Sequence, residues 1–212
     1  ILNALEGRSH AVLKDDKTGQ TERIPVNPIS NYNIIVVDQN LRNNSYISFI
    51  NTNVMRQGEH RDGNVTGAEL NIRSKNQAYY IKAIGALSYI SQGREAKPGY
   101  KYAFSTGKNS GNWTTSIEYE EISRRFDPTD LGYLKVFNTR AAEWNLGYST
   151  YIPRGIRNKS TTSLSVNYER VISPDRFSNF GIEGEYFFLD RNFNALNLDL
   201  GINPIITYDF YE

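Results

Sequence analysis

Strand-length segments that alternate apolar and polar residues limit the fold of this chain more than any other feature. The clearest is residues 196–202, which read Leu-Asn-Leu-Asp-Leu-Gly-Ile. Successive side chains of a β-strand point to opposite faces of its sheet, so this period of two gives the strand one apolar face and one polar face. In a chain rich in Tyr and Phe, such segments are typical of a barrel wall with lipid on one face and water on the other.

Composition excludes several classes of protein. A membrane-spanning helix needs about 20 predominantly apolar residues, whereas runs such as Ile34–Val37 contain only a few. The formal net charge of +1 offers no basic stripe for nucleic acid, and the lack of cysteine excludes disulfides and thiolate metal sites. We expect residues 1–212 to form a single β-barrel domain, or a fragment of one, without an internal linker. Because the chain starts with Ile1 and no signal segment precedes it, we also expect that a leader was removed or that the chain is a piece of a longer protein.

Blocks of β-favouring residues separated by turn residues predict about eleven strands. Their predicted spans are 3–12, 31–39, 46–54, 65–73, 78–91, 100–106, 113–123, 139–152, 162–172, 179–189 and 195–209. The predicted fold is all-β, an antiparallel up-and-down transmembrane β-barrel that is part of a larger barrel. Bacterial single-chain barrels have an even number of strands, so an odd count implies that further strands complete the structure.

The connections between these strands are predicted to alternate in length. Tight turns rich in Asn, Gly, Ser and Lys are predicted at 43–44, 74–76, 107–111 and 191–192. Longer polar stretches are predicted at 14–30, 55–64, 92–99 and 124–138. This alternation is the expected asymmetry of an outer-membrane barrel, whose external loops are longer than its periplasmic turns.

Strand length favours a barrel over a soluble β-sandwich, which also alternates. Several predicted strands run to about ten residues or more, close to the roughly 9–11 that cross a bilayer at a tilt. In the fifth predicted strand, Tyr79 and Tyr89 flank small and aliphatic residues of the apolar set. About ten residues at 3.3 Å each, tilted by about 40°, span roughly 25 Å, the height of the apolar band between two aromatic girdles.

The alternation assigns candidate residues to each face of the predicted barrel. The candidate lumen-facing residues are Glu69, Asn71, Arg73, Glu118, Glu120, Glu143, Asn145, Asn167, Glu169, Glu183, Glu185, Asn197 and Asp199. The candidate lipid-facing girdle consists of Tyr79, Tyr89, Trp113, Tyr119, Trp144, Tyr168, Phe180 and Phe188.

Two carboxylate pairs, Glu118/Glu120 and Glu183/Glu185, raise the hypothesis of a barrel-embedded hydrolase. Glycoside hydrolysis needs two carboxyl groups about 5–5.5 Å or about 6.5–9.5 Å apart, and residues i and i+2 of a strand lie roughly 6.5 Å apart. A hydrated, charge-lined lumen explains these pairs together with all the other polar faces. We therefore predict no catalytic residue.

Neither histidine of the chain is predicted to bind a metal. His10 and His60 have no second histidine at the spacing of a metal site. The charged segment 57–63 around His60 also lacks the regular acidic spacing of a calcium loop. No metal and no cofactor is predicted.

Short motifs along most of the chain support a family assignment. They lie at Asn31–Ile34, Asp38–Leu41, Asn51–Arg56, Asn64–Gly67, Asp130–Leu134, Asn167–Arg170, Ser173–Phe177 and Tyr208–Glu212. In these motifs the chain resembles the barrel region of a Bacteroidota outer-membrane family of unassigned function. Its members often carry an N-terminal module similar to family 9 carbohydrate-binding domains. The resemblance implies an outer-membrane location and a longer parent protein, and it implies no catalytic residue.

These observations lead to three hypotheses of function. The first is a non-enzymatic, integral outer-membrane β-barrel that acts as a channel, an uptake component or a scaffold subunit of an envelope complex. The second is a soluble extracellular β-sandwich that binds carbohydrate or another protein through exposed Tyr and Trp. The third is the barrel-embedded hydrolase. The expected partners of the first are outer-membrane lipid and lipopolysaccharide, other envelope proteins and glycans, and no nucleic acid.

Overall fold

The computed structural model describes residues 1–92, 95–132 and 136–208 as an all-β structure of thirteen strands. The strands are β1 (Leu2–Glu6), β2 (Ser9–Lys14), β3 (Thr21–Asn27), β4 (Ser30–Asn40), β5 (Tyr46–Arg56), β6 (Arg61–Arg73), β7 (Tyr79–Gln92), β8 (Glu95–Lys108), β9 (Trp113–Ile122), β10 (Thr139–Thr150), β11 (Arg157–Val171), β12 (Arg176–Asp190) and β13 (Ala195–Ile202). A short 3₁₀ turn, Arg42–Asn44, joins β4 to β5. Among the described residues, no helix is long and apolar enough to cross a membrane.

Eleven strands form one antiparallel sheet in the order β1-β4-β5-β6-β7-β8-β9-β10-β11-β12-β13. From β4 onward each strand pairs with the next in the chain, so the predicted antiparallel up-and-down arrangement of eleven strands is confirmed. The sheet is not closed, because β1 and β13 form its two edges. Strands β2 and β3 pair only with each other, and they form a separate hairpin in the chain segment that joins β1 to β4.

The first predicted strand, 3–12, is wrong. It is divided between β1 and β2, which belong to two different sheets, and Gly7 lies at the break. Strand β3 lies in the stretch 14–30, for which the sequence predicts a polar connection. Pro25 and the polar residues of β3 weaken the sequence signal for a strand there. The last predicted strand, 195–209, ends at Ile202. Further on, the Tyr208 amide donates to the Ser178 carbonyl at 2.8 Å, and residue 209 lies outside the described residues.

The predicted alternation of long and short connections is also wrong in two places. The polar stretch 55–64 is mostly strand, since β5 continues to Arg56 and β6 begins at Arg61. Likewise, β7 continues to Gln92 and β8 begins at Glu95. Polar residues at these strand ends keep the backbone pairing of their neighbours, so pairing extends beyond the segment where apolar residues alternate. The stretch 124–138 does join two strands, β9 and β10.

The sheet is a single layer, and it leaves one apolar face largely uncovered by the described chain. Leu87, Trp113 and Ile117 are 63%, 56% and 54% exposed. The buried hydrophobic residues among those described are Val54, Ala78, Ile122, Phe126 and Val171. Two sheets packed face to face, as in the alternative β-sandwich, are not present in this part of the chain. The stability of the sheet therefore depends on the pairing of its strands and on the environment of its apolar face.

The two ends of the sheet differ in the connections that they carry. The end that we call upper carries the connection 57–60 and the long connection between β9 and β10. The opposite end, which we call lower, carries the turns 41–45, 74–78 and 109–112.

A left-handed turn at the lower end provides a first test of the fold. Asn43 and Asn44 have φ angles of 60° and 55°, a conformation that costs most L-residues about 1–2 kcal/mol each but is tolerated by Asn and Gly. We expect Asn44→Val to lower the free energy of unfolding by about 1–2 kcal/mol, and Asn44→Gly to leave it nearly unchanged. Urea unfolding followed by circular dichroism measures both values. The control is Asn40→Val, at an exposed position of β4; an equal loss at positions 40 and 44 would contradict the assigned turn.

Candidate functional site

The polar face of the sheet carries all the residues that the sequence assigned to a lumen. Strand registers from β6 to β13 place them on a single face. One row across the sheet runs from Glu118 to Glu143 to Asn167, and another from Asn145 to Ser165 to Glu183. Their position next to water in a lumen stays a prediction.

The opposite face carries the eight aromatic residues of the predicted girdle. Trp113 pairs with Tyr148 across β9 and β10, and their ring centroids lie 4.6 Å apart. Tyr168 pairs with Phe180 across β11 and β12. The same registers add Leu196, Leu198 and Leu200 of β13 to this face. Contact of these rings with lipid also stays a prediction.

Ion pairs and hydrogen bonds connect neighbouring strands on the polar face. Lys82 lies 3.1 Å from Glu69, and Lys101 lies 2.6 Å from Glu120. Within β10, the Asn145 side-chain amide also donates to Glu143 at 2.7 Å. Carboxylates on β9 to β13 of this face are Glu118, Glu120, Glu143, Glu169, Glu183, Glu185 and Asp199. Burying an ionised carboxylate is costly unless hydrogen-bond donors, cations or water surround it.

A feature that the sequence did not predict covers the other half of the polar face at its upper end. Residues 123–132, which we call the strap, leave the end of β9 and lie back over β8, β7 and β6. The Ser123 amide donates to the Tyr100 carbonyl at 2.9 Å, and the Asp127 amide donates to Ser88 Oγ at 3.0 Å. Phe126 of the strap and Ser88 of β7 are both buried between the strap and the sheet. The strap is therefore packed on the sheet and does not project into solvent.

Two arginines clamp the far part of the strap. Arg56 Nη2 lies 2.8 Å from Asp130 Oδ1. Arg61 Nη2 lies 2.8 Å from Asp127 Oδ2 and 3.0 Å from Asp130 Oδ2. Burial raises the pKa of Asp127, but hydrogen bonds from Thr129 and Arg61 outweigh it, so that the pKa lies below its ordinary value. The clamp thus joins β5 and β6 to a segment roughly 70 positions away in sequence.

Two glycines of the sheet make room for the strap. A methyl group added at Gly99 would overlap the backbone of Arg125 and Phe126. One added at Gly63 would overlap the carboxylate of Asp130. Glycine inside a strand marks a place where another segment approaches closely, and this is the sequence signal from which the strap could have been suspected.

A buried carboxylate lies on the apolar face near the upper end. Glu121, only 3% exposed, accepts hydrogen bonds from the hydroxyls of Tyr100, Tyr102 and Tyr119, each at 2.8 Å. Arg140 Nε donates to it at 2.7 Å. Four donors compensate the charge, which explains why a carboxylate can lie among aromatic rings. The sequence analysis missed Glu121 because a carboxylate two positions after Tyr119 breaks the apolar–polar alternation of that face.

A second polar insertion in the apolar face lies on β1, β4, β5 and β6. Asn3 donates to Asn31 and Asn33 at 2.7 Å, and Asn51 donates to Thr66 at 2.7 Å. Asn53 and Asn64 pair across β5 and β6, in the same row as Tyr89 of β7. The apolar face therefore gives way to amides at this level of the sheet.

The two histidines lie apart from these clusters. His10 is exposed in the β2–β3 hairpin, and His60 is exposed between β5 and β6. Within the described ranges, no three His, Asp or Glu side chains come together as a metal site would require.

Comparison with known families places the chain. A family model described as Domain of unknown function (DUF5916) matches residues 1–212. The chain belongs to this family. Comparisons with curated proteins and with solved structures give no significant match. The assignment agrees with the sequence resemblance in that the function of the family is unassigned; the Bacteroidota and outer-membrane parts of that resemblance stay predictions.

The clamp on the strap predicts a pH-dependent loss of stability. The pKa of Asp127 is lower in the folded protein than in the unfolded chain, where it is about 3.9. The ion pair therefore stabilises the fold fully above about pH 3.9, and this stabilisation is lost as the pH falls through the lower, folded-state pKa. We expect Arg61→Gln to cost about 1–2 kcal/mol at pH 7, and less as the pH falls below 4. Unfolding free energies at pH 7 and pH 3 measure the difference. Lys75→Gln, in an exposed turn, is the control; a penalty at Arg61 that does not change with pH would refute the carboxylate pairing.

Proposed function

We propose that this chain forms the wall of a non-enzymatic, integral β-barrel of the bacterial outer membrane, through which water and small solutes pass. The observation that carries the proposal is the single-layer sheet, with one aromatic and aliphatic face and one charged face. The motif resemblance to Bacteroidota outer-membrane proteins supports the location. The partners of such a wall are membrane lipid, lipopolysaccharide and glycans. For other envelope proteins the wall acts as a scaffold.

The exposed apolar face is the strongest support for lipid contact. Monomeric soluble proteins rarely expose a contiguous apolar patch larger than a few hundred Å², whereas here consecutive strands from β6 to β13 carry most of their large apolar side chains on one face. Leu198 and Ile202 remain 51% and 60% exposed. A hydrocarbon environment removes this surface from water at roughly 25 cal/mol per Å².

Strand length agrees with the thickness of a membrane. Strands β4 to β12 contain 10 to 15 residues each. At a tilt of about 40°, roughly ten residues cover the apolar band of a bilayer, and the remainder extends beyond it. This excess explains why polar residues occupy the upper ends of both faces.

The charged face supports a water-filled interior. Its carboxylates on β9 to β13 need hydration, which a lumen provides. In lipid the open edges β1 and β13 would leave backbone groups unsatisfied, so a closed barrel requires that they pair with each other or with additional strands.

The test of the proposal is extraction of the protein that carries this region. We expect it in the outer-membrane fraction, soluble only in detergent, with faster gel migration before heating than after heating. A protein that stays soluble and monomeric without detergent would overturn the proposal and favour the extracellular binding module.

Adjacent positions on β9 provide a matched mutational test. Ile117 lies on the apolar face and Ser116 on the polar face. We expect Ile117→Lys to lower the stability of the protein in lipid vesicles by about 2–4 kcal/mol, as for a lysine near the bilayer midplane. We expect Ser116→Lys to have little effect. Urea titration of the vesicle-inserted protein measures both; similar small effects at the two positions would mean that water contacts both faces.

The acidic wall predicts the ion selectivity of the proposed channel. Conversion of Glu118, Glu143, Glu183 and Glu185 to Gln removes four negative charges from one face, and we expect the preference for cations over anions to fall. Reversal potentials in planar bilayers under a KCl gradient measure it. Asn197→Gln, on the same face, is a neutral control. Unaltered cation preference in the fourfold variant would show that this face does not line the conducting path.

A further inference from the structure

We infer that the strap, residues 123–132, is a fixed constriction folded into the barrel, which sets the size of solute that passes. This inference rests on the proposed channel function and identifies the element that determines its selectivity. Loops of a sheet generally run over the surface and are more mobile than the strands they join. The strap departs from this rule, because it lies on the polar face of the wall.

Its position supports a role in narrowing the lumen. It begins at the end of β9, and its Asp130 reaches Arg56 of β5, which is four strands away in the sheet. Four inter-strand spacings of about 4.8 Å correspond to roughly 19 Å. The strap thus crosses much of the wall near one opening, and its thickness reduces the lumen there.

Its anchoring supports a fixed position. Each strand beneath it contributes a contact: Arg61 of β6 an ion pair, Ser88 of β7 a hydrogen bond and Gly99 of β8 a close backbone approach. Asp130 retains 11% of its side-chain exposure, so one clamp residue is shielded from competing water. Release of the strap requires that these contacts break together.

The strap also directs the open path toward one side. It covers β6 to β8 at the upper end, whereas the carboxylates of β9 to β13 lie beyond it. Solutes that pass the constriction therefore move along an acidic surface. The arrangement favours small cationic or neutral solutes over large or anionic ones.

Displacement of the strap tests the constriction. Gly99→Val places a side chain where the backbone of Arg125 lies, and Gly85→Val on the neighbouring strand β7 is the control, because a Cβ there meets no atom within 4 Å. The double variant Arg56→Gln/Arg61→Gln releases the clamp without a steric change and replaces Gly99→Val if that variant does not fold. The rate of trypsin cleavage after Arg124 and Arg125 in vesicles reports whether the strap has moved. Both side chains are exposed, but the backbone of Arg125 packs on Gly99 of the sheet, so we expect displacement to speed the cleavage.

Single-channel conductance and liposome swelling with sugars of increasing size provide the functional readout. We expect displacement to raise conductance at least about twofold and to admit larger sugars, with no change in Gly85→Val. A wild-type channel whose conductance does not change when trypsin shows the strap displaced would overturn the constriction alone. No conductance from the wild type or from any variant would overturn the proposed channel, and the constriction with it.

Discussion

The whole structure depends on the two unequal faces of a one-layer sheet. Backbone hydrogen bonds join neighbouring strands whatever their side chains are, so pairing alone does not select an environment. The side chains do: Ile117 and Ser116 are adjacent in sequence and lie on opposite faces. No second sheet or helix among the described residues covers the apolar face, so its large side chains remain exposed. The proposed membrane insertion would place that face in lipid and the polar face in water.

Sequence periodicity predicted the strands where an apolar face persists and failed where it does not. In β13 every second residue from Leu196 is apolar, and in β9 Trp113, Ile117 and Tyr119 share one face; both strands begin at the predicted residue. At the ends of β5 and β6, Arg56 and Arg61 give no periodic signal, yet backbone pairing continues to both residues. Alternation records the environment of a strand, not its hydrogen bonding. Strand ends that carry polar residues therefore give no periodic signal in the sequence.

The strap could not be predicted for a different reason. Its contacts join positions far apart in sequence, such as Arg61 with Asp130, and no local propensity encodes them. What the sequence does contain is small residues at unusual places, since Gly63 and Gly99 lie inside strands. Their meaning depends on the fold, because only the sheet register shows that both lie on the polar face beneath the same segment.

The polar insertions in the apolar face locate the boundary of the proposed membrane band. Glu121 is held by three tyrosines and an arginine, and Asn53 and Asn64 share a row with Tyr89. All lie toward the upper end, the end that carries the strap. Tyrosine, amide and paired charge are side chains that suit the interfacial region and not the hydrocarbon. In the proposed barrel the apolar band would end at this level, and the strap, anchored at the same end of the opposite face, would lie close to the mouth of the lumen and not at its centre.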